Sequence, residues 1–557
     1  MKFSEIPYSR VTIEEVRSAF ASLTERMAAA ASGEEQFQVH QDYYKLSDRI
    51  MTQSVLAEIR HDGDMTDPFY DTEYDYYDEH RPEMMQLQVA YQKLLYESKF
   101  RPYLEEKIGP VAFKNMELAR MSVDERILPL MQEENKLCSR YNKLLATARI
   151  EWEGEQLNLS LMRPYLTHTD RGIRQKAWSA YTAFFEKNRE ELDEIYDLLV
   201  RNRTKQAQEL GYENYLKLGY ARMNRNCYGR EEVQSFRRQI REDLVPFTEK
   251  LHEGRARRLG ISRLMYYDES VYDPAGNPQP TGTPEEILQA GRRMYGELSP
   301  ETGEFMNFMC DNELFDVLGR KNKKTGGYMT YLPEYQSPFI FANFNGTSGD
   351  VDVITHECGH AFQGYLAGTD PIREHADITM ETAETHSMSM EYFTYPWMSL
   401  FFGERADDYR RMHFEDSVCF VPYGTMVDEF QDIIYDDPGL TPAARRQVWL
   451  DLERQYRPHM CFEGSTYLQE GGFWQKQHHI YDLPLYYIDY CIASIDALQY
   501  KVWMDQDYHA AWDSYLKLCR LSASDYFTGL LPEVGLTVPF EDGCVRYIVR
   551  KLEERGM

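Results

Sequence analysis

Residues 351–367 read VDVITHECGHAFQGYLA, in which His356, Glu357 and His360 form the pattern H-E-x-x-H. On a helix, residues four apart share a face, so both imidazoles point the same way and can chelate one zinc ion. Glu357 follows the first histidine by one position, which sets its carboxylate beside the metal without obliging it to ligate. A general base for an attacking water is needed at that place. In a chain of 557 residues the bare pattern arises by chance on the order of a few per cent of the time, so its surroundings decide. They read as helix. Thr347 or Ser348 can cap it, Asp350 and Asp352 suit its positive first turn, and Val353, Ile354, Ala361, Phe362 and Tyr365 supply an apolar face.

A catalytic zinc needs a third protein ligand and an open fourth position. The metzincin arrangement requires Gly at 363 and His at 366, where this chain has Gln363 and Leu366. A glutamate from a second helix is the other solution. The helical segment from Asp377, DITMETAETHSMSMEYF, offers Glu381, Glu384 and Glu391, with His386 and His375 as outside candidates. Spacing alone leaves these open, with Glu384 narrowly ahead.

Upstream of the motif, GGYMTYLPEYQSPFIFANFNGTSGD (326–350) is rich in aromatics and broken by Gly, Pro and Asn, and reads as a short sheet. Its SPFIFANFNGT stretch is a candidate edge strand that would pair with an extended peptide. Elsewhere the apolar residues recur at three and four, as in VTIEEVRSAFASLTERMAAAA and REELDEIYDLLVRNRTKQAQEL, so the fold class is mainly α. Thr283, Pro284 and Glu286 have the spacing of an N-cap, a first-turn proline and a capping-box partner. The acidic and aromatic run from Asp67, DPFYDTEYDYYDEHRPEM, lacks the glycine turn of a calcium loop and reads as a solvated helix face.

A hydrophobic fraction of 43% with 27% charged residues is the balance of a chain that folds throughout. A net charge of -29 argues against nucleic acid as a partner, because phosphate contact needs clustered Lys and Arg. No stretch approaches the roughly 18 apolar residues of a membrane span, and MKFSEIPYSRVTIEEV lacks the apolar core of a secretory signal. Nine scattered cysteines without a C-x-x-C pair fit reduced thiols. These features imply no membrane partner and a cytoplasmic location.

The block from Gly326 to Gln363, the E-T-H-S stretch at Glu384 to Ser387, and GGFWQKQHHIYDLPLYYIDYCIAS from Gly471 resemble the thimet oligopeptidase and oligoendopeptidase F family of zinc peptidases. Within that family the resemblance is to bacterial oligoendopeptidases of the Pz-peptidase type. The likeness runs from about residue 160 to the end and is weaker before it. It implies a helical N-terminal region (1–160) and a catalytic region (161–557), in a two-lobed gluzincin fold with a small sheet beside the motif helix and a deep substrate channel. It implies one Zn2+ per chain and hydrolysis of internal bonds in oligopeptides.

In that family the third ligand opens an E-x-x-S stretch, which Glu384 and Ser387 match and Glu381 does not. The resemblance also implies that His479, Tyr487 and Tyr490 donate hydrogen bonds to the oxyanion. Tyr487 and Tyr490, three apart, share a helix face, whereas Tyr486 reads as packing. Two positions depart from the family pattern: His478 precedes the expected histidine, and Asp432 stands where relatives often carry histidine. Two rival functions are a zinc carboxypeptidase on a similar scaffold and a non-catalytic helical peptide-binding protein. An intact Glu357 speaks against the second, since a structural site has no use for a base.

Overall fold

A computed structural model describes residues 1–556 as a mainly helical chain in two compact units that interleave along the sequence. The first unit comprises residues 1–120, 279–406 and 496–536, and the second comprises 121–278, 407–495 and 537–557. Among the described residues no helix is long and apolar enough to cross a membrane.

The first unit opens with three helices, α1 (Ile13–Ala29), α2 (Gly33–Gly63) and α3 (Pro68–Tyr96). Thr12 begins α1 with a reciprocal cap, its hydroxyl accepting from the Glu15 amide while the Glu15 carboxylate accepts from the Thr12 amide. Ile13, Val16, Phe20, Leu23 and Met27 then fall on one buried face. Phe20 meets Tyr43 of α2 and Tyr91 of α3 in the shared core. The acidic run after Asp67 is helical, but not wholly solvated. Glu73 is buried and takes two hydrogen bonds from Arg10 and one from Tyr8. Further on, α4 (Pro284–Leu298) starts with the cap expected at Thr283 and Glu286.

The sheet contains β1 (Phe315–Leu318), β2 (Tyr328–Leu332) and β3 (Ser337–Phe344), ordered β1-β3-β2. Strand β3 is therefore central, parallel to β1 and antiparallel to β2. This corrects the expectation that SPFIFANF is an edge strand. Phe339, Ile340, Phe341 and Ala342 are at most 1% exposed, and a near-continuous apolar run is what a strand covered on both faces requires. The edges are β1 and β2.

Behind the sheet the chain enters a short helical turn at Gly349–Asp352, a π turn at Val353–Glu357, and α5 (Cys358–Ala367); α6 (Met380–Phe393) follows. Neither Thr347 nor Ser348 caps this start through its side chain. Asp350, inside the turn, instead ties down the preceding loop, its carboxylate accepting from the Asn345 and Gly346 amides at 2.9 and 2.8 Å.

The second unit is built on long helices, among them Arg189–Glu209 and α7 (Ala406–Asp436), which begins one residue before the unit boundary. The helix α8 (Tyr487–Met504) starts in this unit and ends in the first. A small hairpin pairs Ile150–Trp152 with Glu155–Leu157 around Glu153 and Gly154, both at positive φ, as a two-residue type I′ turn demands. Asp432 on α7 is occupied by two arginines, Arg230 at 2.9 Å and Arg237 at 3.2 Å.

Candidate metal centre and oxyanion cluster

The H-E-x-x-H segment does not run as uninterrupted α-helix: the π turn ends at Glu357, and α5 carries His360. Such turns widen the helix locally and recur at functional sites. Here the widened backbone is held by α4, where the Tyr295 hydroxyl donates to the Ile354 carbonyl at 2.8 Å. The rings of His356 and His360 converge, with centroids 5.0 Å apart and planes nearly perpendicular.

Glu384 of α6 completes the cluster. Its Oε2 lies 3.4 Å from His356 Nε2 and 3.6 Å from His360 Nε2. Four donors arranged tetrahedrally at the usual zinc distances stand roughly 3.3 Å apart, close to both Glu384 contacts, and the three ligand atoms all lie within 4.8 Å of one another. The serine of the E-x-x-S stretch has a visible purpose. Ser387 Oγ donates to Glu384 Oε2, the oxygen that also faces both rings, at 3.1 Å and fixes the carboxylate. Charge in the cluster is arranged to hold a cation. Burial works to raise the Glu384 carboxyl, but the His356 and His360 rings hold it well below the usual carboxylate range. Burial likewise works to depress His356, yet Glu384 and Glu391 hold it well above its ordinary value. A divalent ion held there would displace that proton and occupy the same attractive field.

The other candidates have different partners. Glu391 accepts from the far nitrogen of the first histidine, with Oε1 2.6 Å from His356 Nδ1. Glu381 is buried and accepts from Thr379 Oγ1 at 2.7 Å. His375 Nδ1 lies 2.8 Å from Asp370 Oδ2, and His386 is buried with Nδ1 3.4 Å from Cys519 Sγ. Glu357, half-buried, sits between the two histidines in the chain and outside the ligand cluster.

In the second unit, the ring of His479 lies 4.8 Å from that of Tyr487 and 6.2 Å from that of Tyr490. His478 is exposed, whereas His479 is half-buried. Tyr486 is buried and packs on both His479 and Tyr490, while Tyr487 and Tyr490 keep part of their surface open. Burial and the neighbouring His478 push the His479 imidazole down to about 4, so it is neutral at ordinary pH.

Residues 3–123 match the peptidase M3 N-terminal domain, and residues 165–287 and 302–544 match peptidase family M3. The chain belongs to peptidase family M3. Solved structures extend the match over its whole length. Pz peptidase A, crystallised with an inhibitor, is 44% identical, with a TM-score of 0.92 over 100% of this chain and 99% of that one. A candidate oligoendopeptidase F solved at 3.1 Å is 44% identical, with a TM-score of 0.91 over 100% and 98%. A second candidate oligoendopeptidase F, from Bacillus anthracis str. Ames, is 40% identical, with a TM-score of 0.87 over 100% and 98%. No curated relative matches. With this family and a His, His, Glu donor set of the right spacing, the chain is a zinc metallopeptidase.

Several residues of this M3 peptidase matter to the site and escaped the sequence. Glu391, a rival ligand there, lies outside the His356, His360 and Glu384 group and accepts from His356 behind it. Gly359, between the two histidines, faces α6: a Cβ on it would stand 2.7 Å from Ser387 Cα and 3.0 Å from the His386 carbonyl oxygen. Only a glycine lets α5 and α6 approach closely enough for Glu384 to reach both rings. Gln477 contacts His479, Nε2 to Nδ1, at 2.8 Å. The signal for Gly359 was its place inside the motif. Gln477 carried none.

Proposed function

We propose that this chain is a cytoplasmic endopeptidase that hydrolyses internal bonds of short oligopeptides, using one zinc ion held by His356, His360 and Glu384. The observation that carries the reading is the Glu384 carboxylate within 3.4 and 3.6 Å of the two Nε2 atoms, three ligand atoms within 4.8 Å of one another, in a chain of family M3. Zinc, when bound, polarises the scissile carbonyl and acidifies water. Glu357 accepts the proton of that water and passes it to the leaving amine, which departs neutral. Residues 161–557 carry this chemistry, and residues 1–160 form the N-terminal helical region.

His479, Tyr487 and Tyr490 donate to the oxyanion as it develops. The hydrogen bonds around His479 favour this assignment. The Tyr423 hydroxyl donates to Gln477 Oε1 at 2.9 Å, which turns the amide nitrogen toward His479 Nδ1 at 2.8 Å. With Nδ1 accepting, the ring proton resides on Nε2, and a neutral imidazole can donate from there. Donors oriented before the reaction stabilise developing charge without reorganisation.

A peptide blocked at both termini tests the endopeptidase reading, because a carboxypeptidase requires a free C-terminus. The chain is expected to cleave it, and Glu357→Gln is expected to keep its zinc while losing turnover by a factor on the order of 10² or more. Cleavage confined to free C-termini would replace the reading with the carboxypeptidase. Undiminished turnover in Glu357→Gln would remove the role given to that residue.

A further inference from the structure

A π turn takes in one residue more than an α-helical turn, and the slip disturbs the ladder that satisfies backbone carbonyls. Around the turn Val353–Glu357, side-chain hydroxyls meet those carbonyls. Thr355 Oγ1 donates to the Val351 carbonyl at 3.1 Å and lies 3.3 Å from that of Asp352. Tyr295 on α4 reaches in from outside the segment and donates to the Ile354 carbonyl at 2.8 Å.

Two residues of α4 build that contact. Gly291 and Tyr295 are four apart and share a face of the helix. Gly291 gives Ile354 its room, since a Cβ there would stand 2.9 Å from Ile354 Cγ2. Tyr295 is fully buried, with its ring edge-on to Phe305 and its carbonyl accepting from Thr302 Oγ1 at 2.7 Å, so the hydroxyl acts from a fixed position. Burial, with Cys358 close by, pushes that hydroxyl well above its ordinary range, and it stays a donor.

What the turn carries makes the contact matter. His356 is anchored separately, its Nδ1 2.6 Å from Glu391 Oε1, and His360 belongs to α5, beyond the turn. Glu357 is the last residue of the turn, and among the described residues its carboxylate has no hydrogen bond or ion pair. Its direction is therefore set by the backbone beneath it. One residue of an α-helix is about 100° of rotation, so losing the extra residue of the turn would swing one side of the segment against the other.

We infer that Tyr295 is a positioning residue for the general base: its hydroxyl holds the π turn, and the π turn aims the Glu357 carboxylate at the attacking water. The inference rests on the role given to Glu357 above and adds the group that sets its direction. Tyr295 is buried behind the turn and acts only through Glu357.

Tyr295→Phe removes the oxygen and keeps the ring. It is expected to lower kcat by roughly 10- to 100-fold, the larger figure being the cost of a misplacement of about 1 Å, with KM and zinc affinity within about twofold of wild type. A hydroxyl that served only the fold would lower the melting temperature and spare kcat. The decisive comparison is made in Glu357→Gln, where adding Tyr295→Phe is expected to change the residual kcat by less than about twofold, because the group it aims is already gone. Gly291→Ala presses on the same turn, and Ile354, branched at Cβ, cannot swing its Cγ2 aside freely. It is expected to lower kcat with KM and zinc affinity kept. Melting temperature and zinc content identify a variant that has failed to fold, and the other then decides. Wild-type kcat in Tyr295→Phe, zinc affinity that falls in step with kcat, or an equal loss in the Glu357→Gln background overturns the positioning role and leaves the base standing. Undiminished turnover in Glu357→Gln overturns both.

Discussion

Glu391 and His356 are joined at 2.6 Å through Nδ1, so the first imidazole of the cluster is oriented by a carboxylate on the helix that also carries Glu384. The contact places the ring proton on Nδ1 and leaves Nε2 as the lone-pair donor, facing Glu384 at 3.4 Å. Glu391→Gln keeps the shape but removes the charge. Zinc affinity, measured by competition with a chelator of known strength, is expected to fall roughly 10- to 100-fold, the usual effect of losing such a partner. Turnover should recover when zinc is supplied in excess. An unchanged affinity would mean that Glu391 supports the fold rather than the metal.

Gly359→Ala probes the approach of α5 to α6. The added methyl would stand 2.7 Å from Ser387 Cα and 3.1 Å from Met390 Cβ, and neither is a flexible tip that can move aside. The helices must separate, at a cost of about 1–3 kcal/mol for overpacking. Because Glu384 and Ser387 ride on the displaced helix, zinc affinity should fall together with the melting temperature. A variant that loses stability yet binds zinc normally would show that the cluster tolerates the shift.

The donor role of His479 makes a double-variant prediction. His479→Phe is expected to lower kcat by roughly 10²–10³ with little change in KM, as loss of one oxyanion donor does. Gln477→Leu removes the group that fixes the tautomer, and is expected to lower kcat roughly tenfold, the value of one supporting hydrogen bond. The double variant should be no slower than His479→Phe alone, because Gln477 acts only through the imidazole. Stability carries a matching signature. The folded imidazole is held near 4 against 6.5 in the unfolded chain, so on acidification the unfolded state takes up the proton first. The stability supported by neutral His479 is complete above about pH 6.5 and is lost as the pH falls toward about 4. His479→Phe should flatten that slope.

The histidine pair was legible because its spacing lies within one continuous helical stretch, a π turn running into α5, in which four residues still bring the two rings together. Glu384 was not legible from spacing, since Glu381, Glu384 and Glu391 sit on one short helix and the choice depends on how α6 crosses α5 at Gly359. The family likeness supplied that choice. The helices themselves were read from periodicity, and the cap at Thr283 from three residues. What failed depended on partners distant in sequence. SPFIFANF became a central strand only because Phe315–Leu318, some twenty residues upstream, pairs with its other side. The π turn at Val353–Glu357 has no Gly or Pro to announce it; it is a slip in backbone hydrogen bonding supported by Tyr295 from another helix.

The tyrosine helix α8 is approached through Leu485, a bulky residue at φ +69°, a conformation that β-carbons disfavour. Three groups hold it there. The Leu485 amide donates to Gln431 Oε1 at 3.0 Å, its carbonyl accepts from Arg225, and the same guanidinium donates to Asp489 Oδ1 at 3.0 Å. Tyr228 adds a hydroxyl to that oxygen at 3.1 Å. Arg225 and Asp489 are fully buried, so removing one partner strands a charge in the interior. Asp489→Ala is expected to cost about 3–5 kcal/mol in denaturant unfolding. Combining it with Arg225→Met removes both charges and should recover part of the loss, because an apolar replacement of a buried pair is often close to neutral. The double variant still lacks the bond that steadies Leu485. Its kcat should therefore stay depressed even where stability returns, since Tyr487 and Tyr490 follow that residue directly. Full recovery of both would show that the strained turn is held by Gln431 alone and that the buried pair serves only the fold.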